Sequence, residues 1–147
     1  MKRREAIAGS GAFLMAAVST AALAQTKDAA HDHAHMHGGP NAALIAAASD
    51  CVVKGQACVA HCLVLLADGD KAMAACAQSV QQVLAVCGAL QSLAAQESAL
   101  LPAMAKVALD ACQACEKECR KHQKHAPCKA CMESCIECAK QCKALAA

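Results

Sequence analysis

The chain has 147 residues, 13 cysteines and one aromatic residue, Phe13, with a formal net charge of +2. That length suits one domain, and the composition excludes a core built on large aromatic rings. The odd cysteine count excludes complete pairing within one chain.

Residues 1–24 read as an export leader. Lys2-Arg3-Arg4 precedes an apolar run to about Ala22, and Ala22-Leu23-Ala24 is a small-x-small cleavage signal before Gln25. The Arg3-Arg4 pair points to the twin-arginine type, with an ordinary Sec leader as the alternative. Either predicts a bacterial, exported, periplasmic protein. No other apolar run is judged long and pure enough to span a membrane. Removing the leader's three basic residues and one acidic residue leaves eleven of each sign. A nucleic-acid reader needs a basic face and usually stacking aromatics, so that class is set aside.

Residues 25–40 read as a linker, with His31, His33, His35 and His37 alternating with small or acidic residues before Gly38-Gly39-Pro40. Such a tract either binds metal loosely or is a solvated tail.

From Asn41 onward the periodicity is helical. Helix one is predicted over about Asn41 to Leu66. The turn Asp68-Gly69-Asp70 follows, with Asp70 as N-cap of helix two, about Lys71 to Ala94. Ser98 caps helix three, Pro102 falls in its first turn, and the helix ends near Lys121. Pro127 begins helix four. Four helices with short connections and no strand alternation predict an all-α fold, an antiparallel up-down-up-down four-helix bundle over residues 41–147.

The cysteines occupy one face of each helix. Cys128, Cys131, Cys135, Cys138 and Cys142 are spaced three and four apart, as are Cys112, Cys115 and Cys119. Cys51, Cys58 and Cys62 fall within a narrow arc of helix one. In helix two Met73, Cys76, Val80, Val83 and Cys87 repeat the rhythm. Lys117, Arg120, Lys121, Lys129, Glu133, Glu137 and Lys140 fall mostly off these seams. The topology puts the one-two and three-four turns at one end, with Cys58, Cys62, Cys76, Cys115, Cys119, Cys128 and Cys131 near it. Cys51, Cys87, Cys112, Cys138 and Cys142 lie deeper, by roughly 10 to 25 Å at 1.5 Å per residue. Leu44, Ile45, Leu90, Leu93, Leu100, Leu101 and Leu145 are expected to close the far end. His61, Met73, His122 and His125 collect at the open one; His125 reads as a surface residue, and His122 as either surface or site.

Three chemistries compete for this thiol column. One or two buried cysteines would be small hydrophobes, but thirteen on four coordinated seams are too many. Disulfide stapling suits an oxidising compartment, yet helix four alone has more thiols than one facing helix can pair. Soft thiolates otherwise favour Cu(I), zinc or iron–sulfur clusters. Zinc takes four-ligand tetrahedral sites, typically on loops, and no bacterial iron–sulfur spacing ending in Cys-Pro is present. Cu(I) accepts two thiolates, and a thiolate can bridge two ions. One ion per thiolate leaves a neutral column, which avoids the penalty on unpaired buried charge. An empty column of neutral thiols stays folded too, unlike a zinc finger without its metal.

Cys51-x6-Cys58-x3-Cys62, Met73-x2-Cys76, Cys87, Cys112-x2-Cys115-x3-Cys119 and the seam from Cys128 to Cys142 resemble the exported bacterial copper storage proteins, over the leader and the whole helical region. The resemblance implies a four-helix bundle, assembling as a tetramer, that stores many Cu(I) ions along its core. It implies delivery to a copper-requiring enzyme; in methanotrophs that recipient is the particulate methane monooxygenase. The implied ligands are Cys51, Cys58, Cys62, Cys76, Cys87, Cys112, Cys115, Cys119, Cys128, Cys131, Cys135, Cys138 and Cys142, with His61 and Met73 at the mouth. Met104 and Met132 lie off the seams and read as packing residues. No catalytic residue is expected. A disulfide-stapled structural or redox protein and a chaperone carrying single ions are the alternatives.

Overall fold

In a computed structural model, residues 38–146 are described; the leader expected over 1–24 and the histidines of 31–37 lie outside the described residues. Four helices follow in chain order: α1 (Ala42–Ala67), α2 (Ala74–Ala95), α3 (Leu101–Lys121) and α4 (Ala126–Ala146). A short 3-10 helix, Lys71–Met73, leads into α2. Each helix packs against its neighbours in ring order, α1 on α2, α2 on α3, α3 on α4 and α4 on α1. This is the antiparallel bundle that the short connections predict.

The helix ends follow from local chemistry. Helix α1 stops in a Schellman motif: the Asp70 N–H donates to the Leu65 carbonyl at 2.9 Å and the Gly69 N–H to that of Leu66 at 3.0 Å. Gly69 takes φ 93°, a left-handed value that costs glycine little. Asp70 then accepts from the Ala72 N–H at 3.1 Å, as its side chain predicts. Helix α2 ends in the same motif, Ser98 N–H to Leu93 at 3.0 Å and Glu97 N–H to Ala94 at 3.2 Å. Here the left-handed position is held by Glu97, φ 49°. Ser98 accepts from the Leu100 N–H at 3.3 Å, and Pro102 sits in the first turn of α3, where its missing donor is not needed.

The axis of the bundle is sulfur and alanine. All thirteen cysteines are fully buried, at 0% exposure, together with Met73, Val80 and Val83 of the α2 seam. Gly55 faces α2 so closely that a Cβ there would stand 2.9 Å from Leu84 Cδ2, so the glycine sets the approach of α1 to α2. Outside, Lys117, Arg120, Lys121, Lys129, Glu133, Glu137 and Lys140 are exposed. Several pair along their own helices, as in Lys121–Glu118 at 2.7 Å and Lys140–Glu137 at 3.6 Å. Such exposed pairs are each worth about 0.5 kcal/mol or less.

The far end is apolar, with one correction. Leu44, Leu90 and Leu101 are buried, and Ile45, Leu93 and Leu145 pack against them. Leu100 is 65% exposed, because it precedes the first turn of α3 and points away from the axis. Asn41 closes this end with a bond from its side-chain amide to the Ala94 carbonyl, 3.1 Å, at the last turn of α2. A second correction concerns spans. Helix α1, and α2 with its lead-in turn, are each long and apolar enough to cross a membrane by length and composition. Alanine and cysteine raise their hydropathy even though their seams face the bundle axis.

Glu97→Gly is expected to stabilise the bundle by about 0.5–1 kcal/mol, since it removes a side chain from a left-handed site, and Gly69→Ala to destabilise it by about 1 kcal/mol. Chemical denaturation of both variants, metal-free and reduced, measures the two signs.

Candidate metal centre

The three-four spacing of cysteines turns each seam inward, and the ring order of helices brings the seams face to face. Sulfur then meets sulfur across the helices. Cys76 and Cys119 lie 3.6 Å apart, Cys58 and Cys128 3.7 Å, Cys115 and Cys131 3.9 Å, and Cys87 stands 3.9 Å from Cys112 and 4.0 Å from Cys138. Within α3, Cys115 and Cys119 are 3.8 Å apart. These are weak thiol contacts, far beyond the roughly 2.05 Å of an S–S bond, and all thirteen cysteines are free.

Four groupings bring their sulfurs within 4.8 Å of one another: Cys51, Cys87, Cys112 and Cys138; Cys58, Cys62, Cys76 and Cys128; Cys58, Cys119 and Cys131; Cys115, Cys131 and Cys135. The first draws one cysteine from each helix. The second lies toward the end where α1 meets α2 and α3 meets α4, and the two triplets link it to the deeper thiols. Twelve of the thirteen cysteines fall in these groupings. Cys142 lies outside the groupings, one turn past Cys138 on α4.

The electrostatics are those of thiols shut away from water. Burial, and then the charge that Cys58 would carry, push the Cys62 thiol up; the same two causes push Cys128 up. The contact between Cys115 and Cys119 raises Cys119 and draws Cys115 down. The neighbouring thiols, Cys112 foremost, draw Cys51 down. The buried polar side chains are hydroxyls, Ser79 and Ser134, and each donates to a carbonyl one turn back, Cys76 at 2.9 Å and Cys131 at 2.8 Å. With no lysine or arginine buried among the described residues, an unmetallated core favours neutral thiols.

The mouth differs from its sequence reading in one respect. His125, expected at the surface, is half-buried, and its ring stands 4.9 Å from that of His61 at a tilt of 52°. The turn Lys121–Ala126 is short, so His125 is carried back over α1 rather than out to solvent. His61 Nε2 is buried and has no hydrogen-bond partner. Neither histidine falls in the four groupings. Met73 is wholly buried under the α1–α2 turn, while His122 is half-buried where α3 ends. Met132 is buried and Met104 partly so, each as a packing residue. The proximity of His125 to His61 was missed because nothing in the sequence gives the direction of a polar turn.

Comparison with known proteins bears on this column. The family model described as copper storage protein matches residues 39–147. The chain is also 29% identical over 105 residues to the uncharacterized cysteine-rich protein YhjQ of Bacillus subtilis (strain 168), covering 71% of this chain and 94% of that one.

The raised thiols fix a pH dependence for the metal-free state. Their folded values lie above the ordinary 9.0, so the stability that Cys62 and Cys128 contribute is fully present below that value and is lost as pH rises through their folded values. The melting temperature of the reduced, metal-free bundle is expected to fall as pH rises above about 9, and Cys62→Ser to flatten that fall. Anaerobic thermal unfolding across this range measures it.

Proposed function

Because this chain belongs to the copper storage protein family, we propose that it takes up many Cu(I) ions along its axis and holds them for later delivery to copper-requiring enzymes. The observation that carries this reading is the set of thirteen buried thiols along the axis, none of them in a disulfide. Cu(I) is soft, takes two or three sulfurs, and lets each sulfur bridge two ions. Sulfurs 3.6 to 4.0 Å apart need only small rotations about Cα–Cβ to bracket an ion. Each ion replaces one thiol proton, so a fully loaded column of one ion per cysteine carries no net charge. That neutrality matters in a core with no buried cation.

His61 and Met73 handle ions at the open end. The unpartnered Nε2 of His61 supports its part, and the thioether of Met73, buried beside Cys76, supports a soft site below it. The protein has no catalytic turnover in this reading. Its leader directs it to the periplasm, and it assembles as a homotetramer, for which the exposed Val53, Leu63 and Val64 of α1 offer an apolar outer face. A copper-requiring enzyme, such as a particulate methane monooxygenase, is the recipient.

Anaerobic titration of the reduced chain with Cu(I) against a competing chelator is expected to give tight uptake of about one ion per cysteine, with about one proton released for each. Saturation at one or two ions would instead describe a chaperone, and a freshly prepared protein with its thiols oxidised would describe a stapled bundle. His61→Ala and Met73→Leu are each expected to slow loading several-fold in stopped-flow measurements while leaving capacity nearly unchanged, since the thiol column is intact.

A further inference from the structure

We propose that the metal-free bundle carries two separate tetrathiolate sites, each for a single soft dication of the zinc and cadmium class. One is Cys51, Cys87, Cys112 and Cys138; the other is Cys58, Cys62, Cys76 and Cys128. Tetrahedral zinc sites typically lie on loops, whereas these cysteines lie on helical seams. The folded bundle removes that objection, since four-fold convergence arises across helices instead of within a turn.

The geometry fits the ion. A tetrahedron with metal–sulfur bonds of about 2.3 Å has sulfur–sulfur edges of about 3.8 Å. In the deep quartet Cys87 lies 3.9 Å from Cys112 and 4.0 Å from Cys138, and in the quartet nearer the mouth Cys58 lies 3.7 Å from Cys128. Every sulfur of each quartet lies within 4.8 Å of the other three. The remaining edges of each quartet are bounded at 4.8 Å, so side-chain rotations that draw sulfurs in by up to about 1 Å complete either site. The quartets share no cysteine, so both fill together. The two remaining groupings supply three sulfurs each, one fewer than a closed tetrahedral site uses.

The charge sets the rank of these ions. Four thiols give up four protons to a dication, and the complex keeps two negative charges. Among the described residues the buried polar side chains are Ser79 and Ser134, so no buried cation there offsets them. Uncompensated buried charge is disfavoured, whereas Cu(I) and thiolate in equal number balance. Dications therefore occupy the bundle when cuprous ion is absent and yield to it when present. The occupancy of the two sites does not rest on the cuprous reading, though the order of displacement does.

The test is anaerobic titration of the reduced, metal-free chain with cadmium(II), followed by the thiolate-to-cadmium charge-transfer absorption. That band reads sulfur ligation only, so ions held by His31, His33, His35 or His37 are silent in it. Saturation at two ions per chain is expected. Cys87→Ser and Cys76→Ser should each lower it to one, together they should abolish it, and Cys142→Ser, outside both quartets, should leave two. Cobalt(II) should give the ligand-field bands of tetrahedral tetrathiolate coordination with the same stoichiometry. Circular dichroism of each variant establishes that its helices remain. A saturation of four or more ions, the absence of the band, or a loss of signal in Cys142→Ser equal to that in Cys87→Ser would overturn the proposal. Cuprous uptake is measured on a separate sample, so failure of cadmium binding and failure of copper storage are read independently.

Discussion

Everything in this bundle depends on how small and how nearly apolar a protonated thiol is. A cysteine occupies little more room than alanine, so four seams of it can converge on one axis with their helices held near one another. The same group becomes a charged ligand on losing a proton. Burial resists that loss, as the raised Cys62 and Cys128 thiols indicate, unless a cation arrives with the leaving proton. The core is therefore stable empty and receptive to metal for a single reason: it contains no fixed charge to favour either state.

Stability must then come from elsewhere than a dense hydrocarbon centre. The far end supplies part of it through Leu44, Leu90 and Leu101, and Val80 and Val83 fill α2 between its two cysteines. Helix ends supply the rest of the definition. Two Schellman turns and the Asp70 and Ser98 caps fix where each helix stops, and hence the axial level at which each sulfur sits. Since each grouping draws on two, three or four helices, a slip of one residue in any of them would dissolve the groupings.

Much of this was legible in the chain. The three-four rhythm from Cys128 to Cys142 and from Cys112 to Cys119 named the buried face, and Pro and Gly named the turns, because both signals are local. What required the folded structure was relative height between helices. Cys51 and Cys138 are 87 residues apart, and only the packed bundle brings them into one quartet with Cys87 and Cys112. Direction in turns was hidden for the same reason: Leu100 faces outward and His125 inward, and no periodicity governs either. The left-handed position that ends α2 is held by Glu97, and no glycine marks it in the chain.

The leucine seal at one end and the histidines at the other give the column a direction. With Leu44, Leu90 and Leu101 closing the far side and Asn41 tying α1 to the last turn of α2, an ion that entered beside His61 under the storage reading would have to leave beside it. On that reading the column would work as a stack: the ion received last would depart first, and those seated by Cys51 and Cys142 would form a reserve drawn on only when the upper levels had emptied.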